Sequence, residues 1–422
     1  MRMRGLSIII IAATAAGAVA GNWPSYRGPG DQGHSDAGKL PTEWSESQNI
    51  AWKLPIKGKA WSSPVVWGDR IWVTNAPPEG TRGSVICVHR DTGKKLYEKR
   101  LFVNPAPQYC HPFNSYASPS AALEEGRVYV TFGAPFTGCL DMKTGEVLWE
   151  RTDFECNHFR GAGSSPFIYK NLLILHFDGS DHQFVVAMDK NTGKTVWRTD
   201  RSVDYKDLDP ETGKPKREGD MRKAFSTPVI MKVGGRDLLI SQGSMALYAY
   251  EPETGKEVWR VELTGVHSGS TRPVTGHGLV YMPMGFGKGP LLAVRADGKG
   301  NVTDTHVEWK HTRVVPTKPS VLLSGDLLFM VDDGGIAACL DAKTGDEIWK
   351  ERIGGNFSAS PLLAGGNIYL FDEEGKATVI KAAREFKVVA ENQLDAGCMG
   401  SPAASGEMLI IRTKEALYGI KE

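Results

Sequence analysis

Asp141-Met142-Lys143-Thr144-Gly145-Glu146-Val147-Leu148-Trp149 returns with its spacing intact as Asp189…Thr192-Gly193…Trp197, Glu251…Thr254-Gly255…Trp259 and Asp341…Thr344-Gly345…Trp349. A weaker copy runs His89…Thr92-Gly93…Tyr97, and Trp309 closes a degenerate one. The leading acid or the threonine can hydrogen-bond a turn backbone, and glycine takes positive φ at no steric cost. The aromatic residue stands on the strand leaving the turn. There it has a repeated task, to bury a large flat area against the neighbouring unit.

A second phrase, a residue and then Pro opening an apolar run, marks the start of each unit. It occurs at Ser63-Pro64, Ser118-Pro119, Ser165-Pro166, Thr227-Pro228, Arg272-Pro273, Lys318-Pro319, Ser360-Pro361 and Ser401-Pro402. The unit from Pro361 reads as an inner strand, a Gly365-Gly366 turn, a second strand at 367–371 and a third at 377–380. In the stronger copies Asp-x-x-Thr-Gly turns into a fourth. One such sheet cannot bury both faces, so units of ~40–45 residues must stack around an axis. The expectation is an all-β, eight-bladed β-propeller of four-stranded antiparallel blades. Residues 401–420 supply three strands of the last blade. Ile50-Ala51-Trp52-Lys53 supplies its fourth, with Trp52 in the docking position, which removes an exposed edge.

The first residues read as a secretory signal peptide, with Arg2 and Arg4, an apolar run from Leu6 to Ala16 and an Ala18-Val19-Ala20 cleavage site. The domain reading is therefore signal peptide 1–20, extended lead-in 21–48 packed on the outside, and propeller 49–422. The expected location is periplasmic or secreted, without a lipid-bearing Cys or a later membrane span. The whole chain of 422 residues has net charge +1, and loss of Arg2 and Arg4 leaves −1. Such a balance offers no basic surface for nucleic acid. There is no Walker loop, His-Glu-x-x-His or Gly-x-Ser-x-Gly elbow.

The Asp-x-x-Thr-Gly-x-x-x-Trp phrase resembles the tryptophan-docking repeat of pyrroloquinoline-quinone (PQQ) type eight-bladed propellers. That superfamily includes quinoprotein alcohol dehydrogenases and the scaffold lipoprotein BamB. The lead-in Trp23-Pro24-Ser25-Tyr26-Arg27-Gly28-Pro29 is similar to that of exported PQQ-like bacterial proteins. The resemblance covers about residues 49–420. It implies either a scaffold that holds partner proteins or an oxidoreductase with PQQ and calcium, adjacent paired cysteines and a catalytic Asp. None of the six cysteines is adjacent to another, and no calcium ligand or catalytic residue maps onto this chain. Cys87, Cys139 and Cys339 share one third-strand position and read as buried small hydrophobes. Cys398 lies in a loop entering an inner strand, as do Cys110 and Cys156, which serve adjacent blades and leave one disulfide open.

Propeller topology gathers the longer loops at one mouth of the channel. His111, His158, Arg160 and His267 precede inner strands there, and 198–223 reads as a solvated flap. Arg272 and Lys318 replace the usual Ser or Thr before Pro at what reads as one depth in neighbouring blades. With His267 they compose a candidate anion site, or their heads reach water beside Asp332 or Asp333. His176, Asp178, Asp181 and His182 form a candidate divalent-metal cluster, or ordinary turn chemistry. Asp372-Glu373-Glu374 reads as a solvent-facing turn. The functional expectation is a monomeric, non-catalytic binding or scaffold module, using its funnel face for a protein partner or a small anionic ligand. The alternative is a PQQ-dependent oxidoreductase acting on alcohols or sugars.

Overall fold

In the computed structural model, described for residues 21–422, eight sheets surround one axis. The expected signal peptide lies outside the described residues. Blades 1 to 7 span 65–103, 122–151, 167–200, 229–262, 274–311, 322–352 and 362–393, each running inner to outer in chain order. Blade 8 takes 403–420 and closes on Ile50–Pro55, whose Lys53 pairs antiparallel with Tyr418. The eight-bladed propeller and its shared last blade are as the repeat implied. Among the described residues no helix is long and apolar enough to cross a membrane.

The docking residues clamp blade to blade. Nε1 of Trp52, Trp149, Trp197 and Trp309 donates to the carbonyl of Arg90, Lys190, Pro252 and Ala342, one residue past the start of the next blade's turn, at 2.7–3.1 Å. Trp259 and Trp349 reach Ala296 and Ala383 in the same way. Tyr97 substitutes its hydroxyl, which donates to the Met142 carbonyl at 3.2 Å. The rings of Trp52, Tyr97, Trp149, Trp197 and Trp309 also lie on the turn glycine of the next blade. A Cβ at Gly93, Gly145 or Gly345 would stand 2.6–2.7 Å from the ring of Trp52, Tyr97 or Trp309. Glycine is therefore required twice, for its φ near +70° and for the neighbour's ring.

The lead-in does not pack on the outside, as its sequence suggested. It crosses the base of the propeller. Trp23 pairs with Val66 of blade 1, and the Pro24 carbonyl accepts from Leu123 N–H of blade 2. Arg272 of blade 5 donates to the Tyr26 carbonyl. Arg27 donates to the carbonyls of Val321 and Pro361, and His34 pairs with Leu363, reaching blades 6 and 7. A segment bonded to inner strands on opposite sides must pass over the axis. Beyond it, Trp44 stacks on Tyr369 and Phe371 of blade 7, and the chain then enters blade 8.

The segment 198–223 is anchored, unlike a solvated flap. Arg201 and Lys223 at its ends are buried. Its exposed middle carries an unpredicted copy of the repeat turn, Asp209-Pro210-Glu211-Thr212-Gly213, in which Asp209 Oδ1 accepts from the Thr212 N–H at 2.9 Å and hydroxyl at 3.0 Å. No Trp follows this copy, and nothing lies on Gly213.

Candidate functional site

One residue per blade, two before the inner strand, faces the axis: Ser63, Ser120, Ser165, Thr227, Arg272, Ser320, Ser360 and Ser401. Backbone N–H groups bind the hydroxyl of the following blade around this octad. Ser63 N–H donates to Ser120, Ser120 to Ser165 and Ser165 to Thr227. Beyond Thr227 the ladder resumes with Arg272 N–H donating to Ser320, Ser320 to Ser360, Ser360 to Ser401 and Ser401 to Ser63. The distances are 2.8–3.0 Å. Close approach at the axis favours small side chains, and each hydroxyl satisfies a buried N–H that no strand partner reaches.

This ladder corrects the alignment of Arg272 with Lys318. The equivalent of Arg272 is Ser320, because in blades 2 and 6 Pro precedes the octad residue instead of following it. Lys318 stands two residues earlier, one layer nearer the mouth. That layer is a second octad of Trp61, Ser118, Gly163, Phe225, Ser270, Lys318, Ser358 and Met399, all lining one cavity of about 530 Å³. Tyr26 of the lead-in also lines the cavity, and its hydroxyl meets Ser360 Oγ at 3.1 Å. The axial channel is a funnel closed by the lead-in.

Arg272 does not line this funnel. It is 1% exposed and turns beneath it. Nε and Nη2 donate to the Pro228 carbonyl at 3.0 and 2.7 Å, and Nη1 meets Asp31 at 2.9 Å. Burial lowers its pKa, and Asp31 opposes that shift. Lys318 does face the funnel, but Glu373 holds it at 2.8 Å, and its Nζ lies 4.5 Å from the centre of the Phe113 ring. Of the Asp372–Glu374 turn, only Glu374 faces solvent as expected. Glu373 faces Lys318, and Asp372 is buried and accepts from the N–H groups of Glu374 and Lys376.

At the mouth, Arg160 grips both oxygens of Asp220 at 3.2 Å, and Lys223 binds the same carboxylate. His111 and His267 line the cavity. Burial, then Arg160 for His111 and Lys223 for His267, holds both below the usual imidazole range. Trp61, Phe113, Phe225 and Phe286 make the wall largely apolar.

His158 lies outside the cavity lining. Its Nε2 accepts from Ala134 N–H at 3.1 Å, and Nδ1 faces Cys156 Sγ at 3.8 Å. Burial holds its pKa at about 4 against an ordinary 6.5. The unfolded chain therefore binds an extra proton between pH 6.5 and 4, and stability is lost across that window as pH falls. We expect the melting temperature of His158→Gln to depend less on pH there than that of the wild type. Equal slopes would show that His158 does not set this dependence.

The proposed metal cluster is not assembled. His176 Nδ1 meets the Ser226 carbonyl and Nε2 meets Ser241, both at 2.9 Å, while Asp178 is locked to Arg201. Asp181 accepts from the N–H groups of Asn157 and His182. Among the described residues no three His, Cys, Asp or Glu side chains converge on a metal-sized site. Calcium requires 6–8 oxygen ligands. The funnel acids Asp220, Asp333 and Glu373 already face cations, so these residues do not fit a calcium-loaded quinone. All six thiols are free, Cys110 and Cys156 included, and Cys87, Cys139 and Cys339 are buried as expected. The sequence reading missed Tyr26, because an extended lead-in carries no periodicity that places it on the axis.

Comparison with known proteins bears on this geometry. Over 158 residues the chain is 30% identical to a quinoprotein ethanol dehydrogenase of Pseudomonas putida, covering 35% of this chain and 23% of that protein. It is 25% identical over 158 residues to an outer membrane protein assembly factor BamB of Alkalilimnicola ehrlichii, covering 36% of this chain and 39% of the relative. The chain spans less than two thirds of the length of these curated relatives. The quinohemoprotein alcohol dehydrogenase of Comamonas testosteroni superposes with TM-score 0.70 at 13% identity, over 96% of this chain and 81% of that one, a likeness of fold alone. A family model described as outer membrane protein assembly factor BamB matches residues 81–206 and 181–421, so the chain belongs to that PQQ-type propeller family.

Proposed function

We propose that this protein is a non-catalytic binding module of the cell envelope or its exterior, whose funnel receives a small ligand with an aromatic body. The carrying observation is the blind cavity of about 530 Å³, walled by Trp61, Phe113, Phe225 and Phe286 and floored by Tyr26. Concave, mostly apolar cavities with a few convergent polar groups are the usual form of small-molecule sites. Arg160 and Lys318 are engaged by Asp220 and Glu373, so the rim guides a ligand less than the aromatic wall holds it. The acids and imidazoles of the funnel are occupied by salt bridges or held neutral by burial, which supports binding over turnover. Export is part of the proposal and rests on the signal peptide read at residues 1–20.

Titration with 2-naphthoate, followed by Trp fluorescence, tests the reading. Saturable binding is expected, weakened at least tenfold in Trp61→Ala and in Phe225→Ala. Unchanged affinity in both variants would refute a funnel site. Incubation with PQQ and calcium tests the competing enzyme reading, and a quinone absorbance band with dye reduction by alcohols or sugars would overturn a non-catalytic role.

A further inference from the structure

The octad at the funnel floor is unevenly used. Ser63, Ser120, Ser165, Thr227 and Ser401 line the cavity and are each at least nine-tenths buried. Every one accepts a backbone N–H from the preceding blade. Among the described residues none of the five donates its own proton to a protein acceptor. The layer above behaves differently. Ser118 donates to Asn114, Ser270 to the Thr317 carbonyl and Ser358 to Glu373. A hydroxyl that has accepted one N–H still has a donor to place, and a buried donor without an acceptor is costly. Here five such donors surround the end of a cavity.

Charge beneath the floor has the matching sign. Arg272 is countered by Asp31, but Arg27 donates only to the carbonyls of Gln32, Val321 and Pro361. Arg27 is 2% exposed, and burial lowers its pKa to about 10, which leaves it charged at neutral pH. It adjoins Tyr26 in the chain, and its carbonyl partners Val321 and Pro361 set it beneath blades 6 and 7, next to the Tyr26 floor. A buried cation without a carboxylate partner raises the potential around it, because its field passes through low-dielectric protein.

We propose that the five floor hydroxyls, backed by Arg27, form an oxyanion-binding crown that takes the carboxylate or phosphate end of the funnel ligand. This rests on the reading of the funnel as a ligand site and adds an orientation, with the anionic end inserted first and the aromatic body against Trp61 and Phe225. Hydroxyl donors to a charged acceptor make short, strong hydrogen bonds.

Calorimetry with 2-naphthoate, 2-naphthyl phosphate and the neutral 2-naphthamide tests it. At least one anion should bind tenfold or more tightly than the amide, and the tighter of the two identifies the group the crown fits. Ser120→Ala/Ser165→Ala should cut that preference below threefold. Ser320→Ala loses the same kind of ladder bond but does not line the cavity, and it should keep the preference. Arg160→Ala/Lys318→Ala, which removes the rim cations, should also keep it. A preference lost in the rim variant and kept in the serine variant would overturn the crown while leaving the funnel site standing. Should the serine variant fail to fold, the rim variant decides alone: tenfold retained supports the crown, and a lost preference refutes it. Absence of binding by all three probes would bring down the funnel reading itself and the crown with it.

Discussion

Arg201→Ala is expected to lower the unfolding free energy by about 3–5 kcal/mol, the usual consequence of removing one partner from a buried ion pair. Its guanidinium places Nε and Nη2 on the two oxygens of Asp178 at 2.8 and 2.6 Å, and both side chains are almost fully enclosed. Nη1 donates to Ser241 Oγ at 2.7 Å and to the Tyr250 hydroxyl at 3.3 Å. The same Ser241 hydroxyl meets the buried His176. Burial opposes the charge on Arg201, but the bidentate contact with Asp178 outweighs it and holds the guanidinium protonated. Without Arg201, Asp178 must keep an uncompensated charge between blades 3 and 4 or take up a proton. Denaturant unfolding of Arg201→Ala beside Arg201→Met/Asp178→Leu isolates the cause. The double variant removes both charges and should lose far less stability than the single one. A loss below about 1 kcal/mol in Arg201→Ala would mean that water or a neighbouring donor replaces the guanidinium.

The parts of the molecule that repeat were legible, and those that occur once were not. Trp149 and Gly145 announce a docking turn because the same spacing recurs, and the recurrence alone implies blades around an axis. Even so, the sequence could not show that Gly145 makes room for the ring of Tyr97, since that contact joins different blades. Pro was an unreliable ruler. It fits on either side of the octad residue, so Ser118-Pro119 and Lys318-Pro319 sit two residues out of step with Ser165-Pro166, and a reading aligned on Pro sets Lys318 a layer too deep. The hydroxyl ladder sets the true register, and it is visible only once neighbouring inner strands are side by side. His176 and Asp178 looked like metal ligands because their spacing is compact. Their partners Ser226, Ser241 and Arg201 come from residues 23–65 positions away, beyond any local motif.

Arg272→Ala is expected to cost about 3 kcal/mol and, more tellingly, to release the base of the propeller. Hydrogen bonds from a charged donor contribute about 1.5–3 kcal/mol each, partly offset by the cost of burying the guanidinium. Two of its bonds hold the Pro228 carbonyl of blade 4, and a third reaches the carbonyl of Tyr26. Arg272 therefore ties the ring to the lead-in at the point where the lead-in crosses the axis. Hydrogen exchange should show residues 22–33 losing protection in Arg272→Ala while the docking strands of blades 2 and 3 remain protected. Arg272→Lys should not restore the lead-in, because an ammonium lacks the planar fork that serves two carbonyls and Asp31 together. Since Tyr26 closes the funnel, affinity for 2-naphthoate should fall in parallel with the loss of lead-in protection. Unaltered exchange at 22–33 in a folded Arg272→Ala protein would show that the remaining contacts of Trp23, Arg27 and His34 hold the floor without it.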